Sequence, residues 1–257
     1  MEDTILEKRD KHITTITINR PEKLNALTPL MITNLEQKFE AIRDDTRVRV
    51  VVIRGQGDNF CAGVDVKGSS YNPLNSRIFL KNFNRMLKTI EMMPQPTIAM
   101  IDGNAASGGL ELALACTFRI AAKKAKFGLP EIKLGLVAAG GATYRLPRLV
   151  GFGKAVEMCL LGDLMDGEKA GECNLVNFVV PGKELSFKTE TLAKRLANNP
   201  PIAMSLVKDA LHSSSAPHVD NSALMEILSA SVNHYTEDKK EGIEAFFSKR
   251  KPNFTGK

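Results

Sequence analysis

Residues 102–110 form a run of small side chains with the first candidate chemistry of this chain. The run is typical of a strand end, a tight turn and the start of a helix. The first N–H groups of a helix have no partner within the helix and carry partial positive charge, so the amide of Gly108 could stabilise a developing oxyanion. A turn that needs glycine only for its backbone angles would have the same sequence. The run is therefore a candidate oxyanion site that needs support from elsewhere in the chain.

A carboxylate follows this turn closely. Glu111 lies three residues after Gly108, about one helical turn on, and so shares its helix face. The surrounding residues 110–115 are otherwise apolar, which predicts a buried helix. A lone buried carboxylate is costly unless it is paired, protonated or functional. Glu111 is therefore a functional acid, an acid that emerges at the surface, or the partner of an arginine such as Arg119 or Arg145.

Two further loops carry polar or small residues. Glu131 follows a short predicted strand and, by itself, is typical of an ordinary loop acid. Residues 57–67 follow a buried strand, and Ala62 and Gly63 would let a ligand touch the backbone. Lys67 would add a cation for phosphates, although a glycine loop with a solvated lysine has the same pattern.

The chain lacks the residues that several other classes of site require. Gly103 and Gly108 have the outer spacing of a phosphate loop, but the next residues are not the Lys and Ser or Thr that such a loop needs. No G-x-G-x-x-G pattern follows a predicted strand, so neither ATP nor NAD is expected. The four cysteines form no CxxC pair and no metal-ligand spacing, which predicts reduced thiols and no metal site: Cys61, Cys116, Cys159 and Cys173.

The bulk composition predicts a folded enzyme without a membrane span. The chain has 257 residues, of which 43% are hydrophobic, enough for a substantial core. It has neither an apolar run of about 18 residues nor a signal-peptide pattern, so we expect a cytoplasmic protein with no membrane partner. The formal net charge of +6 suits a phosphate-bearing ligand and, less specifically, nucleic acid.

The candidate residues lie on an alternation of strands and helices. Strands are predicted at 5–6, 12–19, 48–54, 97–101 and 118–122, and helices at 28–43, 77–93 and 110–116. This alternation predicts the α/β class with parallel pairing, because each strand returns through a helix. Only helices are predicted after about residue 183, at 184–197, 202–211, 218–234 and 237–248. We therefore expect an α/β core over residues 1–199 and a helical region over 200–257.

Six segments together resemble the crotonase superfamily of enoyl-CoA hydratases and isomerases. They are residues 19–27, 60–65, 102–111, 125–135, 140–146 and 247–254, and the resemblance covers nearly the whole chain. It implies a spiral of repeated strand-helix (ββα) turns with a helical C-terminal trimerisation region, assembled as a homotrimer or a dimer of trimers. It also implies an acyl group carried as a coenzyme A thioester, with no separate cofactor.

The resemblance assigns roles to particular positions. The amides of Val64 and Gly108 match the oxyanion pair, and Glu111 and Glu131 match the two catalytic carboxylates of hydratases. The positions implied for coenzyme A binding are Lys23, Leu24, Ala26, Ala62, Val64, Asp65, Val66, Lys67, Phe246 and Lys249. Two amides that polarise a thioester carbonyl make C3 of an unsaturated acyl group electrophilic. We expect Glu111 mainly to activate water and Glu131 to transfer the proton at C2.

Alternative reactions remain open within this family. An isomerase that shifts a double bond needs only one base, and a hydrolase or decarboxylase could use the same oxyanion site. A dehalogenase-like aspartate is missing from residues 132–143. Thr117, Ser107 and Ala138 depart from residues common in relatives, which leaves a cyclic or branched acyl group possible.

A binding protein is the alternative outside catalysis. Some members of the family bind RNA through a basic helix, and Lys188, Lys194 and Arg195 are basic here. No aromatic residues alternate with them, so we expect no nucleic-acid partner.

Overall fold

A computed structural model describes residues 3–65, 73–213 and 236–257 of the chain. Three predictions therefore lie outside the described residues: Val66 and Lys67, the side chain of Phe246, and the helix expected at 218–234. None of the described helices combines the length and apolar character needed to cross a membrane.

In the described part of the chain, nine strands form two sheets, with bounds β1 Ile5–Asp10, β2 Ile13–Ile18, β3 Val50–Gly55, β4 Thr97–Ile101, β5 Asn104–Ala106, β6 Phe118–Ala122, β7 Lys126–Gly128, β8 Met165–Asp166 and β9 Phe178–Val180. The larger sheet has the order β1-β2-β3-β4-β6-β9. Only β1 and β2 pair antiparallel there, and the other pairs are parallel. The predicted α/β class with parallel pairing is confirmed.

Within residues 3–65, 73–213 and 236–257, nine α-helices surround the sheets, with bounds α1 Pro29–Arg43, α2 Pro73–Met92, α3 Gly108–Ala115, α4 Ala142–Val150, α5 Phe152–Leu161, α6 Gly167–Glu172, α7 Leu185–Ala197, α8 Pro201–Ser213 and α9 Glu237–Phe247. The α1 helix begins as its sequence predicts, because Pro29 lies in its first turn and the Thr28 hydroxyl accepts a hydrogen bond from the Met31 amide at 3.2 Å. The α2 helix begins four residues before the predicted start at 77.

The smaller sheet positions the candidate site. The turn predicted at 103–109 contains β5, which pairs in parallel with β7. The loop before Val64 joins the same sheet, since Cys61 donates to the Asn104 carbonyl at 2.9 Å and accepts from the Ala106 amide at 3.2 Å. The loops that hold Val64 and Gly108 are thereby fixed side by side.

The C-terminal helices pack in different places. The α7 helix packs across β2, β3, β4 and β6 of the larger sheet. On α8, the buried Lys208 Nζ donates to the carbonyl oxygens of Met93 and Gln95 just beyond the end of α2. These contacts tie both helices to the α/β core, and the division at residues 199 and 200 stays a prediction.

Candidate active site

Val64 and Gly108 lie against each other. A Cβ built on Gly108 would come within 2.8 Å of Val64 Cγ2. Val64 forms an isolated parallel β-bridge with Leu27. Two hydrogen bonds fix this bridge: the Leu27 amide donates to the Gly63 carbonyl at 2.9 Å, and the Asp65 amide donates to the Leu27 carbonyl at 2.8 Å. Within the described residues, neither the Val64 amide nor the Gly108 amide donates a hydrogen bond. The predicted pair of oxyanion donors is therefore adjacent and available.

Close packing sets the direction of α3. A Cβ on Gly109 would overlap the carbonyl oxygen of Cys61, so only glycine lets the helix start against this loop. The helix is buried along its whole length. The first turn of α3 is consequently fixed against the loop that holds Cys61 and Val64.

Ser107, directly before Gly108, has a strained backbone. Its φ of 53° and ψ of −134° lie in a region that glycine occupies far more easily than other residues. Its amide is held by the Gly128 carbonyl at 2.9 Å, and its Cβ packs against Gly63. Strain of this kind costs on the order of 1–3 kcal/mol and is common at sites where a backbone group must be aimed.

We expect Ser107→Gly to stabilise the protein. Removal of the strain exceeds the extra freedom that glycine gives the unfolded chain, which costs about 0.4–1 kcal/mol. Net stabilisation of about 1 kcal/mol corresponds to an increase in Tm of about 2–4 °C. Differential scanning calorimetry at one protein concentration would measure it. Ser107→Ala is the control, because it keeps the strained φ, and an equal gain in both variants would contradict the explanation.

Glu111 is held by a second loop. Its side chain is 3% exposed, and its Oε1 accepts from the Gly140 amide at 2.6 Å and the Ala142 amide at 3.2 Å. Burial raises the pKa of Glu111 to about 6 against the lowering effect of these two hydrogen bonds. No local sequence pattern indicates these donors, which follow Glu111 by 29 and 31 positions.

The alternative of an ion pair for Glu111 is wrong. Arg119 donates to the carbonyls of Leu175 and Cys116, at 2.8 Å each. Arg145 pairs with Glu91 instead. Within the described part of the chain, neither arginine bonds to Glu111.

Glu131 lies near Glu111. It belongs to a 3-10 helix, Pro130–Leu134, and its Oε2 is buried without a hydrogen-bond partner among the described residues. The charge of Glu131 raises the pKa of Glu111, and the charges of both acids raise the pKa of the Cys159 thiol on α5 after burial. Glu131, which by itself is typical of a loop acid, therefore lies close enough for its charge to act on both Glu111 and Cys159.

Comparison with known proteins identifies the family of this site. The family model described as enoyl-CoA hydratase/isomerase matches residues 8–257. This chain belongs to that family. A crotonyl-CoA hydratase from Syntrophomonas wolfei is 37% identical over 258 residues, with 100% of this chain and 99% of that protein covered. A 1,2-epoxyphenylacetyl-CoA isomerase from Escherichia coli is 32% identical over 262 residues, with 100% of both covered.

A solved structure confirms the crotonase-like fold of the chain. The crystal structure of an enoyl-CoA hydratase from Bacillus anthracis is similar with a TM-score of 0.96 and 35% identity. The alignment covers 99% of this chain and 100% of that one. The predicted spiral core with a helical C-terminal region is therefore correct.

Most of the described positions predicted for coenzyme A surround the Val64 loop of this enoyl-CoA hydratase/isomerase family member. Lys23 ends a 3-10 helix, and the carbonyl of the next residue, Leu24, accepts from the Ala62 amide at 3.0 Å. Arg20 Nη1 donates hydrogen bonds to the Ala26 carbonyl at 3.1 Å and to the Asp65 carboxylate at 2.7 Å, and so links the two. These residues line one edge of the site, and their contacts with a ligand stay a prediction.

Lys249 is the exception among these positions. It lies two residues beyond the end of α9, exposed and at a φ of 51°. No hydrogen bond between the described residues joins it to the Val64 loop, and its role stays a prediction.

The departures from the family pattern occupy different places. Thr117 and Thr97 bond reciprocally, with amide-to-hydroxyl distances of 2.9 and 3.1 Å. This pair lies at the end of α3 opposite Gly108, about 12 Å along the helix by its rise per residue. Ser107 and Ala138, in contrast, lie in the two loops next to the oxyanion pair and Glu111. Only these two departures lie near the predicted acyl site.

Proposed function

We propose that this chain is an enoyl-CoA hydratase, a lyase that adds water reversibly across the double bond of an α,β-unsaturated acyl-CoA thioester. One observation carries the proposal: the buried Glu111, one turn after Gly108, interacts with Glu131, whose Oε2 is buried. The nearby amides of Val64 and Gly108 donate no hydrogen bond within the described residues. The amides suit a thioester oxygen, and two acids suit the movement of two protons.

The proposed reaction follows from the charges that develop. Two preorganised amides stabilise negative charge on the thioester oxygen, so C3 becomes electrophilic. The Glu111 carboxylate accepts a proton from water while the oxygen bonds to C3, and a protonated Glu131 delivers a proton to C2. The proton gained by Glu111 then returns to Glu131, so both acids are restored.

Isomerisation is the second candidate, since similarity extends to an isomerase as well as a hydratase. A double-bond shift needs one base, whereas the site holds two acids that lack an ion-pair partner among the described residues. Retention of both favours hydration.

A short acyl group suits the walls of the site. The buried Phe83 ring lies 3.2 Å from a Cβ built on Gly108 and 2.5 Å from one built on Gly140. Phe79 stacks on it with ring centroids 6.3 Å apart. These rings limit the space beside the reacting carbons, which favours a short straight chain over a cyclic or branched one.

A panel of thioesters tests the proposal. We expect loss of enoyl-thioester absorbance to be fastest with crotonyl-CoA, with kcat/KM about tenfold or more above that for a branched or cyclic enoyl-CoA. A 3-enoyl-CoA tests isomerisation in parallel. A preference for the cyclic or branched substrate would contradict the proposed acyl group, and activity on the 3-enoyl substrate alone would contradict hydration. The control is the enzyme with both Glu111 and Glu131 replaced by glutamine.

The homotrimer or dimer of trimers is also a proposal. Large apolar side chains are exposed before, on and just after α5, and an assembly of copies would bury them. They are Leu134, Val137, Phe152, Leu160, Leu161 and Leu164. Light scattering would measure the mass of the assembly. The cytoplasmic location stays a prediction.

The basic residues of α7 give no support to RNA binding. Lys188 lies over the Phe178 ring at 4.3 Å, and Lys194 pairs with Glu190. Both cations have partners within the protein, which is typical of a solvated helix face.

A further inference from the structure

The loop that holds Glu111 has no room for side chains. A Cβ on Gly140 would overlap Oε2 of Glu111, and Gly141 has a φ of 97° that favours glycine. The amides of Gly140 and Ala142 both point at Glu111 Oε1. The position of this carboxylate is therefore set by the backbone of three residues.

Side chains from two helices hold that backbone. On α2, Asn84 Nδ2 donates to the Ala139 carbonyl at 2.7 Å. On α4, Arg145 Nη1 donates to the Gly140 carbonyl at 3.0 Å. This carbonyl belongs to the peptide between Gly140 and Gly141, which lies between the two amides that bind Glu111.

Arg145 is itself fixed by the partly buried carboxylate of Glu91. Its Nε and Nη2 donate to the two carboxylate oxygens of Glu91 at 3.0 and 2.7 Å, and Arg145 is only 4% exposed. Such a bidentate pair holds the guanidinium plane in one orientation. Its third nitrogen is thereby aimed at Gly140.

We propose that the Glu91–Arg145 ion pair positions Glu111 for water activation, by holding the Gly140–Gly141 peptide through Arg145 Nη1. The inference rests on the proposed hydratase function and deepens it. Arg145 touches neither the reacting atoms nor Glu111 in this role, so it is a positioning residue.

Two properties support a role beyond packing: the cost of burying the ion pair and the charge of Arg145. A buried ion pair is often no more stabilising than well-packed apolar residues, so its place beside a catalytic loop calls for another benefit. The charge of Arg145 also lowers the pKa of Glu111, against the rise caused by burial and by Glu131. It thus helps to keep Glu111 ionised as a base.

Other ionisable groups face this pair and must be considered in any pH measurement. Arg148 on α4 and His212 on α8 lie close enough to lower the pKa of Glu91. Further groups of α8 and of the end of α3 interact with this cluster: Lys208, Asp209 and Cys116. None of them bonds to Gly140 within the described chain, which leaves Arg145 as the contact to be tested.

Arg145→Met and Arg145→Lys separate the charge from the hydrogen bond. In both variants kcat for crotonyl-CoA should fall about 10- to 100-fold, because misplacement of a catalytic group by about 1 Å costs about that much. The dissociation constant for the saturated butyryl-CoA should stay within about threefold, since the thioester loops are untouched. In the Met variant the acid limb of the kcat/KM profile should also move to higher pH, because Glu111 loses a neighbouring cation.

Arg148→Met is the matched control, as an exposed arginine of the same helix three residues away. It should keep the wild-type kcat. If Arg145→Met does not fold, Arg145→Lys decides the question, since it keeps a cation for Glu91. A wild-type kcat in Arg145→Lys would overturn the inference. So would an Arg145→Met enzyme in which butyryl-CoA binding weakens as much as kcat falls and the acid limb of the kcat/KM profile does not move. Failure of the hydratase proposal is distinct, because the wild-type enzyme itself would then be inactive.

Discussion

Glu111→Gln is expected to reduce kcat for hydration by about 10³-fold and, at the same time, to make the protein more stable above pH 7. Activity falls because an amide cannot accept the proton of water, and acid–base groups contribute about 10²- to 10⁴-fold. Stability rises because the charge of Glu111 is costly in its buried position. The carbonyl oxygen of glutamine can still accept from the Gly140 and Ala142 amides.

The size of the stability effect follows from the pKa. Burial raises the pKa of Glu111 from 4.5 to about 6, so the folded state favours the protonated form. Stability from this group is present below the unfolded pKa and is lost as the pH rises through about 6. The shift corresponds to up to about 2 kcal/mol at pH 8, which glutamine would recover.

Urea unfolding of wild type and variant at pH 8 and pH 5 would measure this difference. The gain should be largest at pH 8 and nearly absent at pH 5. Glu36→Gln is the matched control, because Glu36 is a buried acid on α1 that pairs with Arg85. It should lose stability and keep activity. A Glu111→Gln enzyme that retains a tenth of the wild-type kcat would contradict the role of Glu111 as the base. One that unfolds more easily than wild type at pH 8 would contradict the cost assigned to its buried charge.

Local patterns predicted the parts of the site that lie within one element. The position of Glu111 one turn after Gly108 follows from helical spacing, and the structure places both in the first turn of α3. The α1 start follows from the Thr28 cap and Pro29. Such features are set by residues a few positions apart in the chain, so they can be predicted from the sequence alone.

Long-range contacts could not be predicted from local sequence patterns. The Glu91–Arg145 pair spans 54 positions, and no local pattern joins the two residues. The α4 helix was not predicted, because Pro147 within it and glycines on either side are typical of a loop. The three-residue strand β5 is too short for an alternation to be visible. The donors to Glu111, Gly140 and Ala142, lie just before α4 and at its start, so they could not be predicted without that helix.

The same site combines several features that cost stability. Ser107 has a strained backbone, Glu111 is charged and buried, and an oxygen of Glu131 is buried without a described partner. Each would be removed by a simple substitution if stability alone mattered. Their presence together beside the Val64 and Gly108 amides is what a site for acid–base chemistry at a thioester requires.

Glu131→Gln should likewise reduce kcat for hydration by about 10³-fold, while butyryl-CoA binding stays within about threefold of wild type. The amide can neither deliver nor accept the proton at C2, whereas the oxyanion loops keep their geometry. The free energy of unfolding should change little, because Oε2 of Glu131 makes no hydrogen bond within the described structure. Glu157→Gln, at an exposed acid on α5, is the control and should behave as wild type.

Exchange of the C2 protons of butyryl-CoA with deuterium, followed by NMR, separates the roles of the two acids. This exchange needs a base at C2 and an oxyanion site, but no water at C3. Glu131→Gln should therefore abolish it, whereas Glu111→Gln should keep a substantial fraction of the wild-type rate. If the Glu131 variant exchanges normally and the Glu111 variant does not, the assignment is reversed. If both variants exchange normally, neither acid is needed at C2, which would contradict the mechanism, because the mechanism requires one of the two carboxylates to remove that proton.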